Sequence, residues 1–356
     1  MTAHVIAYDT ANPGDTSDLA RHLSRFPADK IRRLALLVKT EGNSEVNDFS
    51  REYALLAAKV LLKEHGGPAL LERSSFLFST GCEGAMTPFG YLFVDADDNA
   101  APSAEKALVF SGARSRSLTP EEIGTPAHAD LVAQTVKAAM AEVDVAADDV
   151  ELVIVKTPVM SHVPATKADK IKNKRVTSAY SKAVGARGAG LALGEVDRAK
   201  IVQEAFDSNH SLHARRAMVF SGSETDKVEI MLIANRAGAP GGLIIRTGFL
   251  KDVLDAQAVR ETLRSAGCAL TAEGTIADPE RLVGMLVKAG VAPDGKLRGC
   301  RTTIKSSHID MDKHVRATMS GVVGSILGTC RTFISANTVH QAPPGGGLCA
   351  CIVKAS

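Results

Sequence analysis

Three short stretches decide the fold: LALLVKT at residues 34–40, LVIVKT at 152–157 and GMLVKA at 284–289. Each is an apolar run of strand length, rich in branched residues, that ends in a lysine. Such a run predicts a buried strand with a cation at its end. Three occurrences predict an internal repeat, and the repeat changes how every other residue of the chain is interpreted.

A second type of strand follows each of these three and ends in a serine. The stretches are SFLFST at 75–80, AMVFSG at 217–222 and RTFISA at 331–336. They match Lys39 with Ser79, Lys156 with Ser221 and Lys288 with Ser335 along the chain. The order of lysine and serine is the same each time, although the length of the connection varies.

A small-residue segment of helical character lies between each lysine and its serine. The first runs from a cap at Ser50 to a stop at Gly66, with apolar residues three and four positions apart. Each segment carries a cation near its start, at Arg51, Lys182 and Arg316. Every repeat therefore offers lysine, cation and serine in one order.

These patterns predict an α+β fold of three similar repeat domains. Seams rich in Pro, Gly and polar residues near 95–105 and 236–244 divide the chain into 1–104, 105–249 and 250–356. We expect the domains to surround a pseudo-threefold axis, with the strands forming a central barrel-like core and the helices outside. Equivalent strand ends would then meet in one cavity.

Composition excludes several classes of function. The net charge is +2, aromatic residues make up 4% and tryptophan is absent, which disfavours nucleic-acid binding. A basic run from Lys167 to Arg175 is interpreted as a solvated face. The sequence has no apolar run of membrane-spanning length and no signal-peptide pattern, so a cytoplasmic protein without membrane contact is expected.

Cysteines and histidines predict neither a disulfide framework nor a catalytic metal. The six cysteines have no CxxC spacing, and the ten histidines include no HExxH motif. The expected chemistry uses lysine and serine instead. Clustered ammonium groups lower one another's pKa, and a neutral lysine takes the proton of a serine that attacks a carbonyl.

Five longer stretches resemble one family: PGDTSDL at 13–19, VKTEGNSEVNDFSREYA at 38–54, FSTGCEGAMTP at 78–88, APDGKLRGCRTT at 292–303 and HQAPPGGG at 340–347. With them the whole chain resembles the cyanuric acid hydrolase and barbiturase family of ring-opening cyclic amide hydrolases. The resemblance implies three domains around one site, hydrolysis of a ring amide without an organic cofactor, and a homotetramer.

The resemblance also implies a role for each repeated residue. It makes Ser221 the nucleophile and Lys156 its base. The expected substrate-binding residues are Ser79, Ser335, Lys39, Lys288, Arg51, Lys182 and Arg316, together with Thr80, Gly222 and Ala336, whose backbone N–H groups would polarise carbonyl oxygens. Glu83 and Asn43 lie in matched motifs, where they either take part in the site or brace loops.

Three positions depart from the family pattern. Lys182 stands where an arginine is usual, which replaces a planar fork with a point charge. STGCEG at 79–84 replaces SGGTEG, so the backbone beside Ser79 is less free. Gly290 replaces an acidic residue, which weakens the case for the structural divalent cation that some members hold near the loop from His340 to Gly347.

The expected activity is ring-opening hydrolysis of a six-membered cyclic imide or ureide, with cyanuric acid preferred to barbituric acid or a related imide. A protein that binds a small ring without hydrolysing it is the alternative from another class. Three potential bases favour the enzyme, because binding alone does not need them.

Overall fold

The computed structural model describes residues 1–43, 47–160, 173–208, 210–222 and 224–355. The order strand, helix, strand, helix, strand, strand occurs three times along the chain. The first unit contains β1 (Thr2–Asp9), α1 (Ser17–Leu23), β2 (Ile31–Thr40), α2 (Ser50–Glu72), β3 (Ser74–Thr80) and β4 (Phe89–Ala96). The second contains β5 (Ala107–Ser117), α3 (Pro126–Glu142), β6 (Val150–Pro158), α4 (Ser178–Ala192), β7 (Ala217–Gly222) and β8 (Lys227–Arg236). The third contains β9 (Leu243–Leu250), α5 (Ala256–Ser265), β10 (Leu282–Ala289), a hairpin of β11 (Lys296–Leu297) and β12 (Cys300–Arg301), α6 (Met311–Leu327), β13 (Phe333–Ala336) and β14 (Gly347–Lys354).

Each unit forms a four-stranded sheet with the same topology. The strand orders are β1-β4-β2-β3, β5-β8-β6-β7 and β9-β14-β10-β13. In each sheet the lysine strand pairs in parallel with the third strand of its unit and antiparallel with the fourth. The strand repeat predicted from sequence therefore appears as three sheets of matching order and direction.

The sheets turn one face toward each other and the other toward helices. Alternating side chains of all three sheets meet in one buried apolar cluster. Its members include Leu37 and Tyr91 of the first sheet, Ile154 and Phe220 of the second, and Leu286 and Phe333 of the third. The opposite faces pack against α1 and α2, α3 and α4, and α5 and α6 respectively. We call the shared surface the inner face and the helix-covered surface the outer face.

The first long helix differs from its predicted form. Residues 66 and 67 depart from helical geometry, Gly67 has φ of 68°, and Pro68 begins a second helical stretch that ends at Glu72. The predicted stop at Gly66 is thus a kink instead of an end. Ser50 is the first helical residue, and its backbone N–H donates to Asp48 Oδ1 at 3.0 Å.

One expectation about architecture needs correction. Among the described residues the strands form open sheets and no closed barrel, so the barrel-like core is wrong. The sheets meet through inner-face side chains and not through a continuous ladder of backbone hydrogen bonds. The strand Leu243–Leu250 pairs with Gly347–Lys354 and so belongs to the third sheet, while the predicted division of the chain at residue 250 stays a prediction.

Two further findings concern the surface. Lys167, Lys170 and Lys172 of the basic run lie outside the described residues, whereas Lys174 pairs with Asp207 and Arg175 donates to carbonyls of 121 and 123. Across the described ranges, no helix combines the length and the apolar character that crossing a membrane requires.

One buried hydrogen bond links the first and third sheets and offers a test of the shared core. Tyr91 Oη accepts from the backbone N–H of Met285 at 3.1 Å, next to the point where β13 begins to pair with β10. Tyr91→Phe leaves that N–H without an acceptor, so we expect the free energy of unfolding to fall by about 1–3 kcal/mol. Denaturant melts would measure the change. Tyr53→Phe, at a side chain that is 55% exposed, is the control and should change little; equal melts for both variants would contradict the proposed link.

Candidate active site

Three lysine side chains end on the inner face, one from each sheet. Lys39, Lys156 and Lys288 are at most 4% exposed. Lys39 Nζ lies 5.8 Å from the ring centre of Phe333 in the third sheet, and Lys288 Nζ lies 5.1 Å from that of Phe220 in the second. The contacts cross between sheets, so the lysine ends of the strands come together.

The first lysine forms a pair with its predicted serine. Lys39 lies opposite Ser79 in the parallel ladder, and Lys39 Nζ donates to Ser79 Oγ at 3.2 Å and to the Thr80 carbonyl at 2.9 Å. Burial, with the nearby Arg316 charge, lowers the pKa of Lys39 to about 7. Near neutral pH a substantial share of this amine is therefore unprotonated.

The third unit repeats the arrangement. Lys288 lies opposite Ser335, and its Nζ donates to Ser335 Oγ at 3.4 Å and to the Ala336 carbonyl at 2.5 Å. Burial lowers the pKa of Lys288 well below its ordinary value, and the Lys182 charge adds to this effect. Both serines are almost fully buried.

The second unit breaks the pattern. Lys156 lies opposite Phe220, not Ser221, and Ser221 lies opposite Thr157. Since side chains alternate along a strand, Phe220 points to the inner face and Ser221 to the outer face. Phe220 belongs to the shared inner cluster, while Val219 packs in the outer core of the second unit. The predicted equivalence of Ser221 with Ser79 and Ser335 is wrong; its counterparts are Thr80 and Ala336.

The contacts of Ser221 agree with its outer position. Its hydroxyl lies 2.7 Å from Ser178 Oγ, at the start of α4, and donates to the Ser178 carbonyl at 3.2 Å. Thr80 takes the corresponding place in the first unit, where its hydroxyl donates to Asp48 Oδ2 at 2.7 Å. Among the described contacts, none joins Ser221 to Lys156.

The backbone beside the serines also differs from expectation. The Thr80 and Ala336 carbonyls accept hydrogen bonds from the two lysines, whereas their N–H groups were predicted to polarise a substrate. Gly222 has a steric role instead, because a Cβ at this position would collide with the Glu224 carboxylate. This glycine lets Glu224 fold back over the end of its own strand.

Glu224 forms ion pairs with two of the predicted cations, Lys156 and Arg51. Its carboxylate contacts Lys156 Nζ and lies 3.5 Å from Arg51 Nη1, which comes from α2 of the first unit. Burial by itself would raise the pKa of Glu224, but Lys156 and Arg51 bring it down to about 2. Burial lowers the pKa of Lys156, and the Glu224 carboxylate opposes that shift. The ion pair favours the protonated form of Lys156.

A similar contact joins the third unit to the first. Arg316 of α6 donates through Nη2 to Glu83 Oε1 at 2.7 Å and also contacts Glu83 through Nε. Gly81, with φ of 94°, lies so close that its missing Cβ would be 2.8 Å from Arg316 Cζ. Glu83 thus holds Arg316 in place. Asn43, the other residue of the matched motifs, lies in an exposed contact in which its Nδ2 is 3.5 Å from Asn47 Oδ1.

No corresponding ion pair from the helix cation of the second unit occurs in the part of the chain that the structure describes. Lys182 occupies the place of Arg51 and Arg316 at the start of α4, but Val339 stands in the third unit where the others have an acid. No ion pair of Lys182 with an acid occurs among the described residues. Burial lowers its pKa, while the Asp312 carboxylate acts in the opposite direction. Arg187 does not replace it, because it is buried and donates to the Ala205 carbonyl at 2.8 Å.

The loop from His340 to Gly347, for which the resemblance raised a divalent cation, has its polar groups engaged in contacts within the protein. Its Gly346 carbonyl already accepts from Gly290 N at 3.1 Å and from Thr338 Oγ1 at 2.8 Å. Both His340 ring nitrogens lie 3.1 Å from backbone carbonyls. The part of the chain that the structure describes has no cluster of three acid, His or Cys ligands.

Sequence reasoning missed Phe220 and Glu224. A signal for both was present, because GCE at 81–83 and GSE at 222–224 share a glycine and a glutamate at one spacing. Aligning the repeats on this motif puts Phe220 against Ser79 and Glu224 against Glu83. Aligning them on the serine shifts the second unit by one residue, which exchanges the two faces of the strand.

Comparison with known proteins agrees with this fold. The family described as amidohydrolase ring-opening protein matches residues 4–354. A cyclic amide hydrolase of Azorhizobium caulinodans is 34% identical over 354 residues, which cover 96% of this chain and 97% of that protein. A cyanuric acid amidohydrolase of Enterobacter cloacae is 34% identical over 368 residues, or 99% of this chain and 100% of the relative.

Solved structures give the same result. A cyanuric acid hydrolase matches with a TM-score of 0.88 and 31% identity, covering 99% of both chains. The cyanuric acid hydrolase of A. caulinodans matches with a TM-score of 0.86 and 30% identity, covering 100% of this chain and 99% of that one. These matches define a class, the hydrolases that open cyclic amides. The chain belongs to the amidohydrolase ring-opening protein family.

The buried carboxylate of Glu224 gives a test of the site's electrostatics. Glu224→Gln keeps the shape but removes the charge that Lys156 and Arg51 face, so we expect the free energy of unfolding to fall by about 3–5 kcal/mol at neutral pH. The folded-state pKa of Glu224 is about 2, against an ordinary value of 4.5. The difference from wild type should therefore be complete above pH 4.5 and shrink as the pH falls toward 2.

Denaturant melts across that pH range would measure the effect. Glu122→Gln, which removes an exposed pair with Arg116, is the matched control and should change stability little. A Glu224→Gln loss no larger than the control's would show that the carboxylate does not hold the two cations.

Proposed function

We propose that this protein opens the ring of a six-membered cyclic imide or ureide by hydrolysing a ring amide. Cyanuric acid is the reference substrate, because relatives that match nearly the whole chain carry its name. Barbituric acid and related imides are the alternatives, since they present the same imide group. One observation carries the proposal: a buried serine hydroxyl lies 3.2 Å from a lysine whose pKa is about 7.

We assign Ser79 as the nucleophile and Lys39 as its base. Ser79 Oγ attacks a ring carbonyl carbon while its proton passes to the neutral Lys39 amine. The carbon–nitrogen bond of the ring then breaks, and the Lys39 ammonium protonates the leaving nitrogen. The opened ring stays bound to Ser79 as an ester. Lys39 next takes a proton from water, the hydroxide cleaves the ester to a carboxylate product, and the proton returns to Ser79 Oγ.

The contacts of Lys156 make it less suitable than Lys39 as the base. Its contact with Glu224 favours the ammonium form, and its opposite residue is Phe220, which has no hydroxyl. Lys39 has a serine within reach and a pKa near the pH at which a base works best. The assignment of Ser221 and Lys156 as the dyad is therefore replaced.

The remaining predicted residues bind the substrate in this proposal. Ser335 and Lys288 hold a second ring carbonyl, since they repeat the geometry of the first pair. Lys182, which has no acid partner among the described residues, is the cation available to a polar ring edge. Arg51 and Arg316 line the periphery through their ion pairs with Glu224 and Glu83.

We further propose that the three units, with the third starting at residue 243, are related by a pseudo-threefold axis. The matching strand orders and the shared inner cluster support this arrangement. A cytoplasmic homotetramer without a required cofactor stays a prediction, as does the lack of nucleic-acid and membrane partners. A chelator should leave turnover unchanged, because lysine supplies the base.

A protein that only binds the ring is the competing function. Buried lysines paired with serines favour hydrolysis, because a binding site gains nothing from amines of lowered pKa. Release of ring-opened product from purified protein separates the two.

Substitution at the serines tests the nucleophile. Ser79→Ala and Lys39→Met should each abolish measurable turnover, and the double variant should lose little more, because the two act as one unit. Ser335→Ala removes only a carbonyl-binding group and should cost about 100- to 1,000-fold in kcat. Steady-state kinetics and mass spectrometry of a trapped acyl-enzyme would measure these outcomes. Ser221→Ala is the matched control and should retain wild-type turnover; loss of activity there, with an adduct on Ser221, would refute the assignment.

The pH dependence of kcat/KM tests the base. Lys39 works only when neutral, so activity should be lost as the pH falls below the folded-state pKa of about 7 and should level off above it. A rate profile with cyanuric acid between pH 5 and about 9 would locate the limb. Lys288 takes no part in the proposed proton transfer, so Lys288→Met should leave the position of this acid limb unchanged. If the acid-side loss of kcat/KM moves to another pH in Lys288→Met but is still present in Lys39→Met, the base belongs to the third unit.

A further inference from the structure

The inner face presents a hydroxyl in two units and an aromatic ring in the third. Ser79, Phe220 and Ser335 lie opposite Lys39, Lys156 and Lys288 in their parallel ladders. All three side chains are on the same face, because they share the alternation of the apolar residues that precede them. The site therefore has two serine sectors and one phenylalanine sector.

The phenylalanine sector is apolar and closely packed. Phe220 is 5% exposed, and its ring packs edge-on against Phe333 with 6.0 Å between centres. Lys288 Nζ lies 5.1 Å from the Phe220 ring centre, on the side of the second serine pair. The lysine of the same sector, Lys156, contacts Glu224 instead of a serine hydroxyl. Phe220 itself offers a substrate no donor where the other units offer a hydroxyl.

We propose that Phe220 sets substrate specificity, selecting rings that carry carbonyls on two alternate ring carbons and an apolar carbon on the third. This inference rests on the proposed function. The two carbonyls meet Ser79 and Ser335, and a C–H or CH2 group meets the Phe220 ring. The reaction is unchanged, since the carbon–nitrogen bond that breaks belongs to the imide between the two carbonyls.

A third carbonyl would be penalised in this site. Its oxygen would leave water and face an aromatic ring instead of a hydroxyl, and a buried oxygen without a donor weakens binding by about ten- to a hundredfold. The ring of Phe220 also fills volume that a serine would leave open. A CH2 group, by contrast, has no hydrogen bond to lose.

The chemical class follows from this arrangement. Glutarimide and 5,6-dihydrouracil have carbonyls on two alternate carbons and CH2 on the third. Cyanuric acid and barbituric acid have carbonyls on all three. The preferred substrate class is thus a six-membered dicarbonyl imide or dihydropyrimidine.

A four-compound panel tests the proposal. For the wild-type protein we expect kcat/KM for 5,6-dihydrouracil or glutarimide to exceed that for cyanuric acid and barbituric acid by about tenfold or more. Phe220→Ser restores a hydroxyl and should shift the ratio of cyanuric acid to 5,6-dihydrouracil upward by about ten- to a hundredfold. Phe220→Leu is the matched control, because it stays apolar and should keep the wild-type preference.

The possible outcomes distinguish the role of Phe220 from the proposed ring-opening function on which it rests. A wild-type preference for the tricarbonyl rings, or a dicarbonyl preference smaller than expected, would overturn the role of Phe220 while leaving ring opening intact. An unchanged ratio in folded Phe220→Ser would do the same. If Phe220→Ser does not fold, the wild-type panel and Phe220→Leu still decide. Failure of the wild-type protein to open any of the four rings would overturn both proposals.

Discussion

The desolvation of three lysines at strand ends is the constraint on which the rest of the structure depends. A charged ammonium group buried among apolar side chains costs several kcal/mol unless it is paired or loses its proton. The fold applies both solutions. Lys39 and Lys288 take a serine hydroxyl and a backbone carbonyl, and their pKa values fall. Burial lowers the pKa of Lys156 as well, but its contact with the Glu224 carboxylate opposes that shift. The chemistry open to each unit follows from which solution it uses.

The shared inner face explains why the lysines can influence one another. Each sheet covers its outer face with its own helices, so its inner face can be buried only against the other two sheets. The strand ends then converge, and side chains cross between units, as Tyr91 does to Met285 and Arg51 does to Glu224. Contacts between units therefore hold the core and the site together.

The departures from symmetry fall at matched positions. Phe220 stands where the other two units have a serine, and Val339 stands where the other two have an acid. In the part of the chain that the structure describes, Lys156 therefore has no hydroxyl opposite it, and Lys182 has no carboxylate at the matched position. The strands need neither change in order to fold, because their apolar alternation is kept around both positions. The two changes make the three units chemically different where their strand ends meet.

The sequence by itself determined the repeat, the α+β class, the strands that carry Lys39, Lys156 and Lys288, and the family. Those features depend on local apolar periodicity and on motifs that can be read along the chain. Tertiary structure decided which serines lie on the inner face opposite a lysine, although the shared spacing of GCE at 81–83 and GSE at 222–224 held a signal for it. Ser221 lies one residue from Phe220, and in a strand one residue is the difference between the inner and the outer face. The ladder of hydrogen bonds with the neighbouring strand fixes that register, and the packing of three sheets makes the inner face a surface common to the three units. For the same reason the Glu224 contact with Arg51 could not be predicted, because it joins two units that no local pattern relates.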